Sequence, residues 1–220
     1  MLPFVRLPDK IKEGGSNEEI LNPSTIAYLR EINGVVNPFR GLRVPLPTLR
    51  FLEIMKCIDV RGNRVFHASD ASRLAIKLAQ KEVEEVTEHA TIVFSDLPLV
   101  ETMSLGVQRI GSTLVAVIGD IISRSDAQLL YLLCGMYRNV RMQPLTVSYA
   151  DPERVVIATD LMHQIEMPLN PPFEFAMSRF FMTKVDEINS IHGQMRLELS
   201  RTPRDKVTGW ATNFMETITP

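Results

Sequence analysis

Apolar residues change their spacing along this chain, and each spacing predicts a different element. In ATIVFSD (90–96) they run almost unbroken, the pattern of a central parallel strand covered on both faces. TLVAVIGDI (113–121) reads the same way, and NRVFHAS (63–69) as a shorter strand. Ala75, Ala79, Val83 and Val86 recur at helical spacing and predict a helix over 71–88, capped by Asp70. LVETMSLGVQRI is a linker or short helix. SDAQLLYLLCGMYR (125–138) predicts a deeply buried helix opened by a capping box from Ser125 and Gln128. Two runs rich in β-branched residues, 139–147 and 153–160, flank a polar turn and predict a hairpin.

The ends follow other rules. After NPP at 170–172, the residues Met177, Phe181, Val185, Ile188, Ile191, Met195 and Leu199 step by four and three. That spacing predicts one long amphipathic helix within 173–199, its seam meeting the domain or a partner. The first fifty residues are rich in proline and glycine. One helix fits there, over 23–33, with Asn22 as cap and Pro23 at its first position. The remainder reads as an extended arm whose Phe4, Leu7 and Phe39 have no core of their own. LRFLEIMKCI (49–58) suits a buried strand or a short helix, and periodicity leaves both open.

Strands alternating with helices imply an α/β fold, a Rossmann-like, mostly parallel sheet with helices on both faces. The closing hairpin adds one antiparallel strand at or near an edge, the layout of methyltransferases that use S-adenosylmethionine. The predicted organisation is an arm over 1–48, an α/β domain over 49–168 that is truncated in its N-terminal half, and a C-terminal helical segment over 169–220.

Composition changes this picture little. A chain of 220 residues buries enough surface to fold without disulfide or metal. Its net charge of −2 gives no basic field, so any nucleic-acid contact needs a local patch or a companion protein. Cys57 and Cys134 lie in apolar segments and read as buried, reduced thiols. No apolar run reaches the roughly 18 residues of a membrane span, and the start lacks a signal-peptide core, so a cytoplasmic protein is expected. His67, His89, His163 and His192 are scattered, and no metal site is expected.

Candidate chemistry sits in IVFSDLP (92–98) and in GSTLVAVIGDI through RNVRMQPLTVSYADPERVVIATDL (111–161). This block resembles the second half of the cap ribose 2′-O-methyltransferases of the FtsJ-like family. The resemblance places Asp96 on the family's strand-end Asp and Glu153 on the Glu of its hairpin. It also implies a catalytic Lys at the middle of TLVAVIGDI, where this chain has Val117. A valine can neither donate a proton nor stabilise an alkoxide. The glycine-rich turn after the first strand, where backbone must approach the cofactor, is missing too. GG at 14–15 and DVRGN at 59–63 have the wrong context for it, and no room remains before residue 49 for the usual first strand, turn and helix.

A fold without cofactor turn and lysine is similar to one family in particular, the small regulatory subunit of the poxvirus-type mRNA capping enzyme. LPFVRLP (2–8), VPLPTLRF (44–51), RNVRMQPLTVSY (138–149), VVIATDL (155–161) and the aromatic FEFAMSRFF (173–181) resemble segments of that subunit. The resemblance implies a non-catalytic partner of a larger capping subunit, stimulating cap guanine-N7 methylation. S-adenosylmethionine would then be bound by the partner, with RNA or RNA polymerase met through the complex. An active 2′-O-methyltransferase with a diverged cofactor loop is the alternative, and a scaffold unrelated to capping a weaker third.

On the first reading no catalytic residue is expected, and Asp96 and Glu153 are vestigial. Their plainer roles are helix capping and solvation. Phe4, Leu7, Phe39, Met177, Phe181 and Val185 are the partner-binding candidates. Arg138, Arg141 and Arg154 converge near the hairpin as RNA-contact candidates, with a solvated rim as the alternative. Tyr131, Tyr137, Phe180 and Phe181 lie on helical faces that suit a core or an interface better than base stacking.

Overall fold

The computed structural model describes residues 1–16, 18, 39, 44–148, 151, 153–167, 170–203, 205–207, 209, 212–213 and 216. Six strands, β1 (Arg64–His67), β2 (Glu84–Glu85), β3 (Ala90–Ser95), β4 (Gln108–Ile118), β5 (Tyr137–Pro144) and β6 (Arg154–Leu161), form one sheet in the order β2-β1-β3-β4-β6-β5. Pairing is parallel from β2 through β4, and β6 runs antiparallel to both of its neighbours. This is the predicted Rossmann-like α/β sheet, with its reversed strand next to the edge. Among the described residues the principal helices are α1 (Leu46–Ile54), α2 (Asp70–Leu78), α3 (Leu99–Ser104), α4 (Arg124–Met136) and α5 (Arg179–Ser200).

Alternation along the central strands sorts side chains into two cores. On β4, Leu114 and Ala116 face the cluster under α4 and α5, while Val115 and Val117 face the cluster under α1 and α2. On β6, Val156 and Ala158 join the first cluster and Val155 and Ile157 the second. Both faces are covered, which is why these strands read as unbroken apolar runs.

Several boundaries differ from expectation. The apolar run near residue 50 is helical. The predicted helix over 71–88 stops at Leu78. Gln80 takes a positive φ of 50° and Lys81 N–H donates to Ile76 O at 3.2 Å, a six-to-one closure that ends the helix. The chain then re-enters the sheet as β2, so Val83 and Val86 belong to an edge rather than to a helix face. The first strand, turn and helix do exist, but after residue 60 and in short form. Asp70 opens α2 without capping it, since Ser69 is the cap residue and no side-chain cap bond forms. On α4 the box is Ser123 with Asp126, two residues earlier than predicted. Gln128 is fully buried instead, donating to Phe173 O at 2.9 Å and Phe175 O at 3.2 Å. Cys134 is buried, whereas Cys57 is exposed.

The arm packs on its own domain. Leu2 N–H donates to Val140 O at 2.8 Å, Gly14 N–H to Pro172 O at 3.0 Å, and Glu174 N–H to Lys12 O at 2.7 Å. Phe39 lies in the α1–α2 core at 2% exposure, which corrects the expectation that it has none. Leu7 packs against the other cluster, and Phe4 is 60% exposed. The helix predicted over 23–33 lies outside the described residues.

The seam of α5 departs from the sequence pattern halfway along. Phe181 and Val185 are buried in the domain's own core with Met177 packed beside them, which removes Phe181 and Val185 from the partner-binding candidates. Beyond them the buried positions are Asn189, His192 and Arg196, while Ile191 and Met195 are exposed. At about 100° per residue, Phe180, Ile191 and Met195 fall within about 60° of one another, beside the docked face. Among the described residues no helix is long and apolar enough to cross a membrane.

Candidate functional site

A cleft of about 670 Å³ opens at the carboxyl ends of β3 and β4, where the antiparallel β6 begins. Open α/β sheets bind ligands at this end. Asp96, Val117 and Glu153, far apart in sequence, all line it, and so does Arg50 from α1. The three positions singled out by sequence therefore share one site, and the fourth was missed.

Local chemistry sets each one. β3 ends in a turn held by Ser95, whose Oγ accepts from Leu97 N–H at 3.2 Å and lies 2.6 Å from Thr102 Oγ1. That leaves Asp96 without the capping role. Pro98 precedes α3 and no side chain caps it. Among the described residues Asp96 makes no hydrogen bond or ion pair, and its side chain is exposed. Val117 sits on β4 opposite Val155 of β6, 8% exposed and inside the α1–α2 core. Glu153, just before β6, is ion-paired with Arg50, and Asp151 stands 3.8 Å from the same guanidinium. Arg50 is thus a buried cation shared between two carboxylates, bridging α1 to the turn before β6. It is hard to find in sequence because it hides inside an apolar run.

Behind the cleft floor lies a second polar assembly that the sequence did not announce. Asp120, immediately beyond β4, lines the cleft, but its carboxylate is engaged with Arg154, and with Arg196 at 2.9 Å. Arg154 donates to Asn189 Oδ1 at 2.6 Å, and Asn189 donates to Ile121 O at 3.0 Å. Burial lowers the pKa of Arg154, and Asp120 opposes that shift. His192 beside them is pushed down to about 3, first by burial and then by the two arginines, so it stays neutral. Arg154 at 2% exposure cannot meet an RNA phosphate, which removes it from the RNA-contact candidates. Arg138 pairs across strands with Asp160 at 3.0 Å, and Arg141, of opposite parity on β5, projects from the other face. The three arginines do not converge.

At the carboxyl end of β1, the chain passes through Ala68 and Ser69 with no glycine. His67 Nδ1 lies 2.8 Å from Ser72 Oγ, and its ring stacks on Phe94. Ser72 Oγ also lies 3.1 Å from Ser69 O, and His67 Nε2 is buried without a hydrogen-bond partner among the described residues. Burial lowers the His67 pKa and keeps the ring neutral. Tyr131 packs edge-on against Phe181 at 5.0 Å, a core contact. Among the described residues no cluster of His, Cys, Asp and Glu could hold a metal. The chain matches no protein-family model and no curated protein.

Proposed function

We propose that this chain is a non-catalytic regulatory subunit that binds the larger subunit of an mRNA capping enzyme and stimulates its guanine-N7 methyltransferase domain. One observation supports the reading above others. Asp96 and Glu153, which the resemblance places on the carboxylates of a 2′-O-methyltransferase, line one cleft with Val117, an apolar side chain packed into the core. Removing a proton from a ribose hydroxyl needs a cation beside the forming alkoxide. Arg50 is the one cation among the described lining residues, and it is already engaged with Asp151 and Glu153. A guanidinium also stays protonated at neutral pH and takes no proton.

An activator works by binding its partner's competent state better than the idle one. A stimulation of 10- to 100-fold needs about 1.4–2.7 kcal/mol of differential affinity, which a protein interface supplies. Such a subunit would work in the cytoplasm, in a viral factory or virion. The test is affinity capture of the full chain from its native source, followed by mass spectrometry and calorimetry with S-adenosylmethionine. Co-purification of a capping subunit, with no cofactor bound by the lone chain, is the expected result. A lone monomer, or a micromolar cofactor site on it, overturns the proposal.

The convergence of Asp96, Glu153 and Arg50 favours a second reading, an active cap ribose 2′-O-methyltransferase with a diverged site. Methyl transfer to capped RNA by the purified chain, abolished by Glu153→Gln, would establish it instead.

A further inference from the structure

The cleft has features that the pairings described so far leave unused. Its walls are largely apolar, with Leu97, Pro98, Val100, Val117 and Leu129 among the lining residues. Its volume lies within the range of about 300–1,000 Å³ typical of small-molecule sites. Four carboxylates line it against one guanidinium. Asp120 is held by two arginines, Glu153 by Arg50, and Asp126 by its capping box with Ser123. Asp96 is the carboxylate left over. It stands at the rim of an apolar hollow, with neither hydrogen bond nor ion pair among the described residues.

The charge on Asp96 selects among occupants. An anion would meet an acidic lining in which Arg50 is already shared by two carboxylates. A neutral apolar molecule would fill the walls and gain nothing from Asp96. An organic cation with a compact apolar body satisfies both, its body against the walls and its N–H donors on the free carboxylate. We propose that this cleft is a receptor for a small organic ammonium ligand, with Asp96 as its anchor. The proposal goes beyond the regulatory reading and does not depend on a capping partner.

Three probes of similar size and different charge test it on the full chain: phenethylamine, phenethyl alcohol and 3-phenylpropionate. Methyl carbon–proton spectra follow Val100, Val117 and Leu129 during titration. The amine is expected to shift these methyls saturably, about fivefold more tightly than the alcohol, as suits a contact to an exposed carboxylate. The propionate is expected to leave them unmoved. Asp96→Asn should bring the amine down to the alcohol's affinity and leave the alcohol unchanged. Because Asp96 has no partner to lose, this variant should keep the wild-type spectrum elsewhere. Equal binding of all three probes, no cleft shift by the amine, or an amine preference that survives Asp96→Asn would each overturn the assignment.

Discussion

Arg50 in α1 and Glu153, just before β6, form an ion pair in the lining of the cleft, joining parts of the chain that are distant in sequence. Arg50 is the more buried partner, and Asp151 approaches the same guanidinium. Truncating the cation should therefore cost more than truncating Glu153. Arg50→Ala is expected to lose about 2–3 kcal/mol, since Asp151 and Glu153 are left facing each other, and Glu153→Ala about 1 kcal/mol. Urea denaturation of the two variants checks the order. A larger loss from Glu153→Ala would show that Arg50 is not the shared centre.

Asp120 pairs with both Arg154 and Arg196. Asp120→Ala removes a counter-charge that two buried guanidiniums share. The expected loss is about 3–5 kcal/mol, seen as a lower urea midpoint. Asp120→Asn, which keeps an acceptor oxygen, should lose less.

His192 ties stability to pH. Its folded pKa is pushed down to about 3 from an unfolded value near 6.5, so the unfolded chain binds the proton first. Stability from this group is therefore complete above pH 6.5 and falls as the pH drops below it. At pH 5 the loss is about 2 kcal/mol. His67, lowered mainly by burial, acts in the same direction. Urea midpoints measured between pH 7 and pH 5 should slope less in His192→Gln than in the wild type, with the His67 share remaining. Parallel slopes would remove His192 from this role.

The arm is seated by Gly15, where an added Cβ would overlap the carbonyl of Phe173. Gly15→Ala must displace that backbone contact, at a cost of about 1–3 kcal/mol. Trypsin should then cut after Lys10 and Lys12 well before it cuts in the sheet. Unchanged digestion would mean that the arm is anchored elsewhere, for example through Leu2 on Val140.

What the sequence disclosed follows from where information is local. β3, β4 and the β5–β6 hairpin were legible because burial on both faces makes their runs apolar. The helix after β1 was overextended because Val83 and Val86 fit a helical stripe, while the positive φ at Gln80 that ends it carries no glycine signal. The capping box was misplaced because Ser123 and Ser125 both satisfy the spacing, and the burial of Gln128 decides between them. Asp96, Val117 and Glu153 were singled out by the resemblance to the 2′-O-methyltransferases. Arg50 was hidden by an apolar run of undecided structure. Asn189, His192 and Arg196 gain their roles only when α5 reaches the end of β4, and no local pattern encodes that meeting.

That meeting also imposes an order on synthesis. A nascent chain released through Leu161 can pair every strand of the sheet, yet Arg154 would still lack Asn189, and Asp120 would lack Arg196. The floor of the cleft is completed only when α5 folds back onto the end of β4, with Arg196 meeting Asp120 from 76 residues further along the chain. Ribosome-bound chains stopped short of Arg196 should thus carry an open, hydrated floor, and α5 serves as the step that closes it rather than as an appendage to the sheet.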